Sequence, residues 1–348
     1  MLSRADALNA LLVAAADAEA AEALSTLGDA PLLVLPVADA PALAGAAHAL
    51  RPGAPILVGV DAAGRTPAGL AGRFDVLLTT AAAPPAPWVS VAAWGLATTI
   101  SAIETLASRR PNAASVFAQV LRLGEGLDFD AALTVESLAY SALLGGAEFR
   151  DWRASLPVRP RVASEAPMVR MERRGEVLII TLSRPEVRNA VGAQLRDELT
   201  EALRLARADP SIAEVELRGA GRSFSAGGDL DEFGQATDLA VAHAIRTARA
   251  PARLAAGLGP RLTVYIQGAA IGGGIEIAAA ASRVIADPAA IFRLPEVGMG
   301  LIPGAGGTAS LPLRIGRHRT AFLGLSGLDI DAGQALAWGL VDRLEPVG

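Results

Sequence analysis

The stretch Gly268-Ala-Ala-Ile-Gly-Gly-Gly-Ile-Glu276 combines three consecutive glycines with one carboxylate in otherwise apolar surroundings. The β-rich run 262–266 before it predicts a buried strand, and the alanine-rich run 275–281 predicts a helix with the glycines at its entry. A glycine-rich turn between a strand and a helix lets a ligand approach the backbone closely, and it aims unpaired N–H groups at an electron-rich atom. The sequence therefore predicts a site that stabilises an oxyanion.

Two glutamates lie close to glycine-rich segments. Glu276 falls in the first turn of the predicted helix, and Glu296 follows Pro295 in an apolar run that leads to Ile302-Pro-Gly-Ala-Gly-Gly307. A carboxylate in such surroundings is costly unless it has a partner or a task, so the two together suggest a general acid–base pair. For either acid alone the simpler alternative holds, in which Glu276 caps its own helix and Glu296 pairs with Arg293. The glycine turns favour the acid–base interpretation.

These motifs resemble a known family. Residues 268–278 and 292–308 are similar to the signature of the crotonase superfamily, the enoyl-CoA hydratases and isomerases, and the resemblance extends from about residue 169 to residue 346. It implies an α/β fold with a crotonase-like ββα spiral core and helical tail elements. It also implies a homo-oligomer, a trimer or a hexamer.

The resemblance implies roles for individual residues. Residues 219–230, Gly-Ala-Gly-Arg-Ser-Phe-Ser-Ala-Gly-Gly-Asp-Leu, look like the second glycine loop of the family, which places an oxyanion-binding N–H on Gly228 beside that of Gly273. Glu276 is then expected to activate water, Glu296 to protonate the α-carbon, and Gly304 to hold the water through its N–H.

Contacts to coenzyme A are implied for Arg188, Arg222 and Ala226. A solvated arginine that caps a turn is the alternative for Arg188. Asp231 stands where some relatives carry a lysine, and this departure weakens the inference about the nucleotide end.

The implied function is the hydration of a 2-enoyl-CoA to a 3-hydroxyacyl-CoA, with coenzyme A as part of the substrate and no separate cofactor. Two alternatives stay open. A Δ3,Δ2-enoyl-CoA isomerase moves a proton with one principal carboxylate. A non-catalytic acyl-CoA-binding or scaffold protein is the other, because the N-terminal half is unusual.

Composition excludes several classes of function. The net charge of −5 without a basic cluster argues against nucleic acid as a partner. The chain has no cysteine, and all 31 basic residues are arginine, which excludes disulfides, thiolate metal sites and Schiff-base lysines. The three histidines are isolated, so no metal site is predicted. The apolar run 263–282 contains Glu276, which disfavours a membrane span, and we expect a soluble, cytoplasmic protein.

The sequence suggests two domains, residues 1–155 and 168–348, joined by a proline-containing linker at 156–167. The runs 31–36, 55–60 and 74–79 predict strands of a small α/β unit, to which no chemistry is assigned. Residues 127–152 predict helices that resemble the C-terminal helices of crotonases, which cover the active site. Residues 1–155 are therefore either a degenerate second copy of the fold, whose last helices replace a missing tail, or an accessory helical domain.

Overall fold

The computed structural model describes residues 9–11, 13, 17–28, 30–39, 54–157 and 166–347, which belong to two compact units. The first unit contains Met1–Leu127 together with Ile315–Gly327, and the second contains Asp128–Arg314 together with Leu328–Gly348. Each unit is thus assembled from two separate pieces of the chain. Within the described ranges, no helix is both long enough and apolar enough to cross a membrane.

The first unit contains a parallel sheet and helices. Its described elements are α1 (Ala18–Ala23), β1 (Leu32–Pro36), β2 (Ile56–Asp61), β3 (Val76–Thr79), β4 (Val89–Ser90), α2 (Leu96–Arg109) and α3 (Pro111–Gly124). The strands lie in the order β1-β2-β3-β4 and all neighbours are parallel, so their apolar runs form the core of this unit. The three predicted strands are confirmed.

The second unit contains the remaining elements. They are α4 (Phe129–Leu144), α5 (Ala147–Ala154), β5 (Val169–Arg174), β6 (Val177–Leu182), α6 (Ala193–Ala208), β7 (Glu214–Gly219), α7 (Leu239–Ala248), α8 (Pro251–Leu258), β8 (Leu262–Ile266), β9 (Ala269–Ile271), α9 (Gly273–Ala279), β10 (Arg283–Ala286), β11 (Ile291–Arg293), β12 (Ile330–Asp331), α11 (Ala332–Trp338) and β13 (Arg343–Leu344). A six-stranded sheet has the order β13-β10-β8-β7-β6-β5, and a three-stranded sheet has the order β12-β11-β9. The predicted α/β class is confirmed.

One helix passes through the division between the units. Helix α10 (Gly307–Ser326) is broken at Gly316, whose φ of 78° and ψ of 157° are not helical. The chain enters the first unit at Ile315, where Arg317 donates hydrogen bonds to the carbonyls of Phe74 (3.1 Å) and Ala71 (2.6 Å). These bonds explain why the segment after the break belongs with the N-terminal sheet.

The structural division differs from the predicted boundary at residue 155. Helices α4 and α5 precede that boundary but belong to the second unit, because they pack against its helix α7 and its turn at Glu296–Met299. Residues 158–165 of the predicted linker lie outside the described residues. The origin of residues 1–155 as a second copy of the fold stays a prediction.

Candidate active site

The turn between β9 and α9 positions Glu276. Gly272 precedes the helix with a φ of 47°, and its N–H donates to the carbonyl of Arg293 at 2.9 Å. A Cβ on Gly274 would lie 2.8 Å from the Cβ of Ser225 in the neighbouring loop. Glycine is therefore needed at 272 for its backbone conformation and at 274 for the close approach of that loop.

The second glycine loop runs beside this turn. Ser225 accepts a hydrogen bond from the N–H of Ile271 (3.0 Å) and donates its own N–H to the carbonyl of Ala269 (3.0 Å). The nitrogen of Gly228 is 3.9 Å from the point where a Cβ on Gly273 would stand. Among the described residues, the N–H groups of Gly228 and Gly273 have no hydrogen-bond acceptor. Two unused donors therefore lie side by side.

Asn189 fixes the base of the second loop. Its buried side-chain amide donates to the carbonyls of Ala220 (2.9 Å), Ser223 (2.9 Å) and Phe224 (3.0 Å). Three carbonyls from one loop converge on a single amide group, which holds the loop in a bent conformation. Residue 189 itself has a φ of 55°, a conformation that asparagine tolerates better than most side chains.

Backbone amides surround Glu276. Its side chain is 1% exposed, and one oxygen, Oε2, accepts hydrogen bonds from the N–H groups of Ala305 (2.7 Å) and Gly307 (3.0 Å). Both donors belong to the glycine-rich loop 303–307. The carboxylate is thus bound by this loop, whereas the simpler alternative for it was a cap on its own helix.

A third glutamate, Glu136 of α4, binds the same loop. Its Oε1 accepts the N–H of Gly306 at 2.8 Å, and its Oε2 accepts the N–H and the hydroxyl of Thr308, both at 2.7 Å. Residues 305 and 307 therefore donate to Glu276, while residues 306 and 308 donate to Glu136. Alternate amides of one segment hold two buried carboxylates from different helices.

The carboxyl group of Glu296 has fewer hydrogen-bond donors around it than those of Glu276 and Glu136. A Cβ on Gly272 would lie 2.1 Å from its Oε1, so the carboxyl group lies directly against that glycine. Its Oε2 is buried and has no hydrogen-bond partner among the described residues. Arg293 pairs with Asp329, at 2.5 and 2.7 Å, and not with Glu296 as the simpler alternative required.

Burial raises the pKa of all three glutamates. Loss of hydration raises the pKa of Glu276 from 4.5 to about 7, against the opposing effect of the amides of Ala305, Gly307 and Gly304. Loss of hydration and the charge of Glu276 raise the pKa of Glu136 to about 8. The same two causes raise the pKa of Glu296 well above 4.5. Near neutral pH these three carboxyl groups can therefore hold and exchange protons.

These groups line one cavity of about 990 Å³. All five residues expected to take part in the chemistry are in its wall: Gly228, Gly273, Glu276, Glu296 and Gly304. Tyr140 of α4 closes one side, because a Cβ on Gly304 would lie 2.6 Å from its ring. Within the described ranges, no group of three His, Cys, Asp or Glu side chains is arranged to hold a metal ion.

The predicted coenzyme A contacts lie elsewhere on the second unit. Arg188, Arg222 and Ala226 are not part of the cavity wall. Arg188 and Ala226 are joined by a backbone hydrogen bond of 2.8 Å, and both arginine side chains are exposed. Neither guanidinium group has an ion-pair partner among the described residues.

Comparison with known proteins identifies the family. The chain matches the enoyl-CoA hydratase/isomerase family over residues 172–347. It is 38% identical over 176 residues to the 2,3-dehydroadipyl-CoA hydratase of Escherichia coli, a match that covers 51% of this chain and 68% of that protein. The chain belongs to the enoyl-CoA hydratase/isomerase family. The predicted resemblance is therefore confirmed, and the protein is an enzyme of the crotonase superfamily.

Other similar proteins carry related names. The chain is 36% identical to a probable enoyl-CoA hydratase of Mycobacterium tuberculosis, over 51% of this chain and 68% of that protein. A crystal structure of an enoyl-CoA hydratase from Thermoplasma volcanium matches 52% of this chain and 73% of its own, at 32% identity and a TM-score of 0.48.

Sequence reasoning missed the part of the site that lies outside the family match. Glu136 and Tyr140 precede residue 172, in the segment 127–152 that was expected to resemble helices covering the active site but for which no site residue was named. One signal was present: Leu133, Glu136 and Tyr140 follow helical spacing, so an acid stands on the apolar face of its helix. A single acid on an apolar helix face indicates a buried carboxylate that needs a partner or a task, as it did for Glu276.

Proposed function

We propose that this enzyme hydrates a 2-enoyl-CoA thioester to the 3-hydroxyacyl-CoA. The observation that carries the proposal is the convergence of two buried glutamates, Glu276 and Glu296, on one cavity beside the two unused N–H donors of Gly228 and Gly273. A hydratase needs these parts together: donors for the charge that develops on the thioester oxygen, and an acid and a base on either side of the double bond.

The thioester oxygen binds between the N–H groups of Gly228 and Gly273. As water adds to the β-carbon, negative charge moves through the α-carbon to this oxygen, and two fixed donors stabilise it more in the transition state than in the substrate. The donors stand at the start of α9 and in the adjacent loop, so no rearrangement is needed when the charge develops.

Glu276 acts as the base and Glu296 as the acid. A pKa of about 7 lets Glu276 lose its proton near neutral pH and accept one from the attacking water. The pKa of Glu296 lies well above 4.5, so it retains a proton for the α-carbon, and its unpartnered oxygen leaves room for that transfer. Gly304 helps to hold the water through its N–H.

Coenzyme A lies across the segments that contain Arg188, Arg222 and Ala226. The two exposed arginines without ion-pair partners suit its phosphate groups. Helices α4 and α5 take the place of C-terminal tail helices, since Tyr140 and Phe149 contribute to the cavity wall from outside the matched region. The assembly we expect is a homo-oligomer, a trimer or a hexamer.

The test follows the absorbance of the conjugated enoyl thioester after enzyme is added to crotonyl-CoA and to a longer 2-enoyl-CoA. We expect the band to disappear with the wild type, and Glu276→Gln and Glu296→Gln each to slow the reaction by two or more orders of magnitude. Glu172→Gln is the matched control, because Glu172 is exposed and pairs with Arg174 away from the cavity.

Normal turnover by both active-site variants would refute the mechanism. A 3-enoyl-CoA that becomes conjugated, while 2-enoyl-CoA is left unchanged, would replace hydration by isomerisation.

A further inference from the structure

Glu136 binds the glycine-rich loop of the active site from outside the family match. Its residue is 2% exposed, and its carboxyl group accepts three hydrogen bonds at 2.7 to 2.8 Å. Oε1 accepts the N–H of Gly306, and Oε2 accepts both the N–H and the hydroxyl of Thr308. Both oxygens are thus committed to this segment, so Glu136 acts on the loop and not on the reacting atoms.

The loop itself is pliable, because glycine stands at three of its five positions, 304, 306 and 307. Close packing requires glycine there. A Cβ on Gly304 would lie 2.6 Å from the Tyr140 ring, and a Cβ on Gly306 would lie 2.6 Å from that of Ala252. A segment that packing forces to be glycine-rich depends on bonds to its amides for a fixed shape.

Two carboxylates share these amides in alternation. The N–H groups of residues 305 and 307 donate to Oε2 of Glu276, and those of residues 306 and 308 donate to Glu136. Each peptide unit is planar, so neighbouring amides cannot move independently of one another. A displacement at residue 306 therefore moves the donors on both sides of it. The position of the Glu276 carboxylate depends in this way on Glu136.

Helix α4 gives Glu136 a fixed place from which to hold the loop. Ala132 and Leu133, about one turn before it, form an apolar cluster with Ala309 of α10. Asp128 caps the helix by accepting the N–H of Ala131 at 2.8 Å. A carboxylate on a packed and capped helix can fix a pliable segment, because its own position is set by its support.

A purely structural role is the alternative. Helix α10 begins at Gly307, so the amides bound by Glu136 lie at a helix N-terminus, where a carboxylate is stabilising. Such a cap would affect the stability of the fold but not the rate of the folded enzyme. The alternation with Glu276 indicates more, since the same short segment holds the expected base.

We propose that Glu136 is a positioning residue, which holds the loop so that the amides of Ala305 and Gly307 orient Glu276 toward the attacking water. This assignment rests on the proposed hydration, and it gives a task in the reaction to a residue that precedes the matched segment 172–347. The donors for the thioester oxygen lie in two other loops, so substrate binding does not depend on Glu136. Its loss should therefore act on kcat and not on KM.

Steady-state kinetics with crotonyl-CoA compare Glu136→Gln with the wild type. The side-chain NH2 of glutamine would face an N–H donor of the loop, so the variant loses part of the contact. We expect kcat to fall by about ten- to hundredfold, as for a displacement of about 1 Å at a reacting group, and KM to change by less than about threefold. Glu198→Gln is the matched control, because Glu198 accepts the N–H groups of Met168 and Val169 away from the cavity wall, and its kcat should be that of the wild type.

A double variant separates positioning from a structural role. If Glu136 acts through Glu276, then Glu136→Gln should lower kcat by less than about twofold in a Glu276→Gln protein, since residues that act as a unit are not additive. Thr308→Val removes one donor to Glu136 and leaves both carboxylates in place, and it should show the same dependence on Glu276 if Glu136→Gln does not fold. An equal factor in both backgrounds would overturn the assignment.

The titration of Glu276 tests the assignment without turnover. Carboxyl-carbon NMR of glutamate-labelled protein measures its pKa, about 7 in the wild type, with the signal assigned by its loss in Glu276→Gln. The amides of residues 305 and 307 lower this pKa, so their displacement in Glu136→Gln should raise it further. Glu296 and Tyr140, which also interact with Glu276, are the same in both proteins.

Two results of the titration would overturn the assignment. An unchanged pKa of Glu276 would show that the loop keeps its place without Glu136, and a lower pKa would show that Glu136 acts by its charge. The titration also separates this assignment from the proposed function. A raised pKa of Glu276 in a protein that leaves every 2-enoyl-CoA unchanged would support the positioning of Glu276 and refute only the hydration.

Discussion

Each unit buries a carboxylate almost completely, but the partners differ. In the first unit Asp75 is 2% exposed and accepts two hydrogen bonds from Arg122, at 2.6 and 2.8 Å, with Arg317 at 3.7 Å. In the second unit Glu276 is 1% exposed and is bound by backbone amides only. The amides around Glu276 favour its charged form but offset only part of the effect of lost hydration, so its pKa stays raised to about 7 and it can exchange a proton near neutral pH. Burial alone does not mark a catalytic acid, and neither does the lack of a cation, because Asp61 is 4% exposed, accepts hydrogen bonds from the N–H of Thr66 and the hydroxyl of Thr79, and has a lowered pKa. What distinguishes Glu276 is the raised pKa together with its place in the cavity wall.

The largest effect we expect comes from the chemistry of the amide-bound acids. Glu276→Gln should leave the amide contacts of the loop largely in place and remove the base, which lowers kcat by roughly two to four orders of magnitude. Steady-state kinetics would measure this change, and thermal unfolding would verify that the variant is folded. A fall in kcat of less than tenfold would show that Glu276 is not the base, and its role would then not differ from that of Asp75.

The second-largest effect concerns Asp75, the ion-paired acid of the first unit. Asp75→Ala removes the buried carboxylate that Arg122 and Arg317 both face, so the first unit should lose about 3–5 kcal/mol of stability. Urea unfolding measures the loss. The matched control is Glu125→Ala, because Glu125 pairs with the same Arg317 but is 61% exposed, and it should cost less than about 1 kcal/mol. Equal losses of stability in the two variants would show that the buried Asp75 does not hold Arg122 and Arg317 in place.

A third prediction concerns pH. The folded-state pKa of Glu276 is raised from 4.5 to about 7, so the folded protein binds a proton that the unfolded chain has released. The contribution of Glu276 to stability is therefore fully present below about pH 4.5, falls as the pH rises to about 7, and stays constant above that value. Glu276→Gln escapes this cost and should gain on the order of 3 kcal/mol over the wild type above pH 7, but nothing below pH 4.5.

Denaturation of both proteins across this range would measure the difference. A stability gap that does not change with pH contradicts the raised pKa. The activity of the wild type should rise across the same interval as Glu276 loses its proton.

The smallest effect concerns Glu136. Thr308→Val keeps the shape of the side chain but removes one of the three donors to this carboxylate, so we expect a loss of about 1–2 kcal/mol of stability and a fall of a few-fold in kcat. Thr308→Ser retains the hydroxyl and should behave like the wild type. A defect in the serine variant as large as in the valine variant would remove the hydroxyl from the explanation.

The sequence predicted the parts of the site that lie within local motifs. Gly228, Gly273, Glu276 and Glu296 stand in short glycine-rich segments whose residue types reveal strand, turn and helix, and the structure brings them to one cavity. Glu136 was missed because its partner Gly306 follows it by 170 positions, and no local pattern connects them.

The division of the chain was harder to predict for a similar reason. The strands of the first unit are readable as apolar runs, but nothing in the sequence shows that residues 315–327 return to them. That pairing depends on the buried contact between Arg317 and Asp75, which are far apart in the sequence. Long-range ion pairs leave no periodic trace in a single sequence.

The break of helix α10 at Gly316 has a consequence for how the protein is made. The N-terminal sheet leaves the ribosome early, but the segment Ile315–Gly327 that supplies Arg317 follows nearly two hundred residues after Leu127. Until that segment emerges, Asp75 lacks the nearby charge of Arg317 and the carbonyls of Ala71 and Phe74 lack its donors, so the first unit is incomplete. Synthesis from the N-terminus therefore leaves each unit waiting for a late segment, the first for Ile315–Gly327 and the second for Leu328–Gly348, although nearly all of the second unit is made between the two pieces of the first.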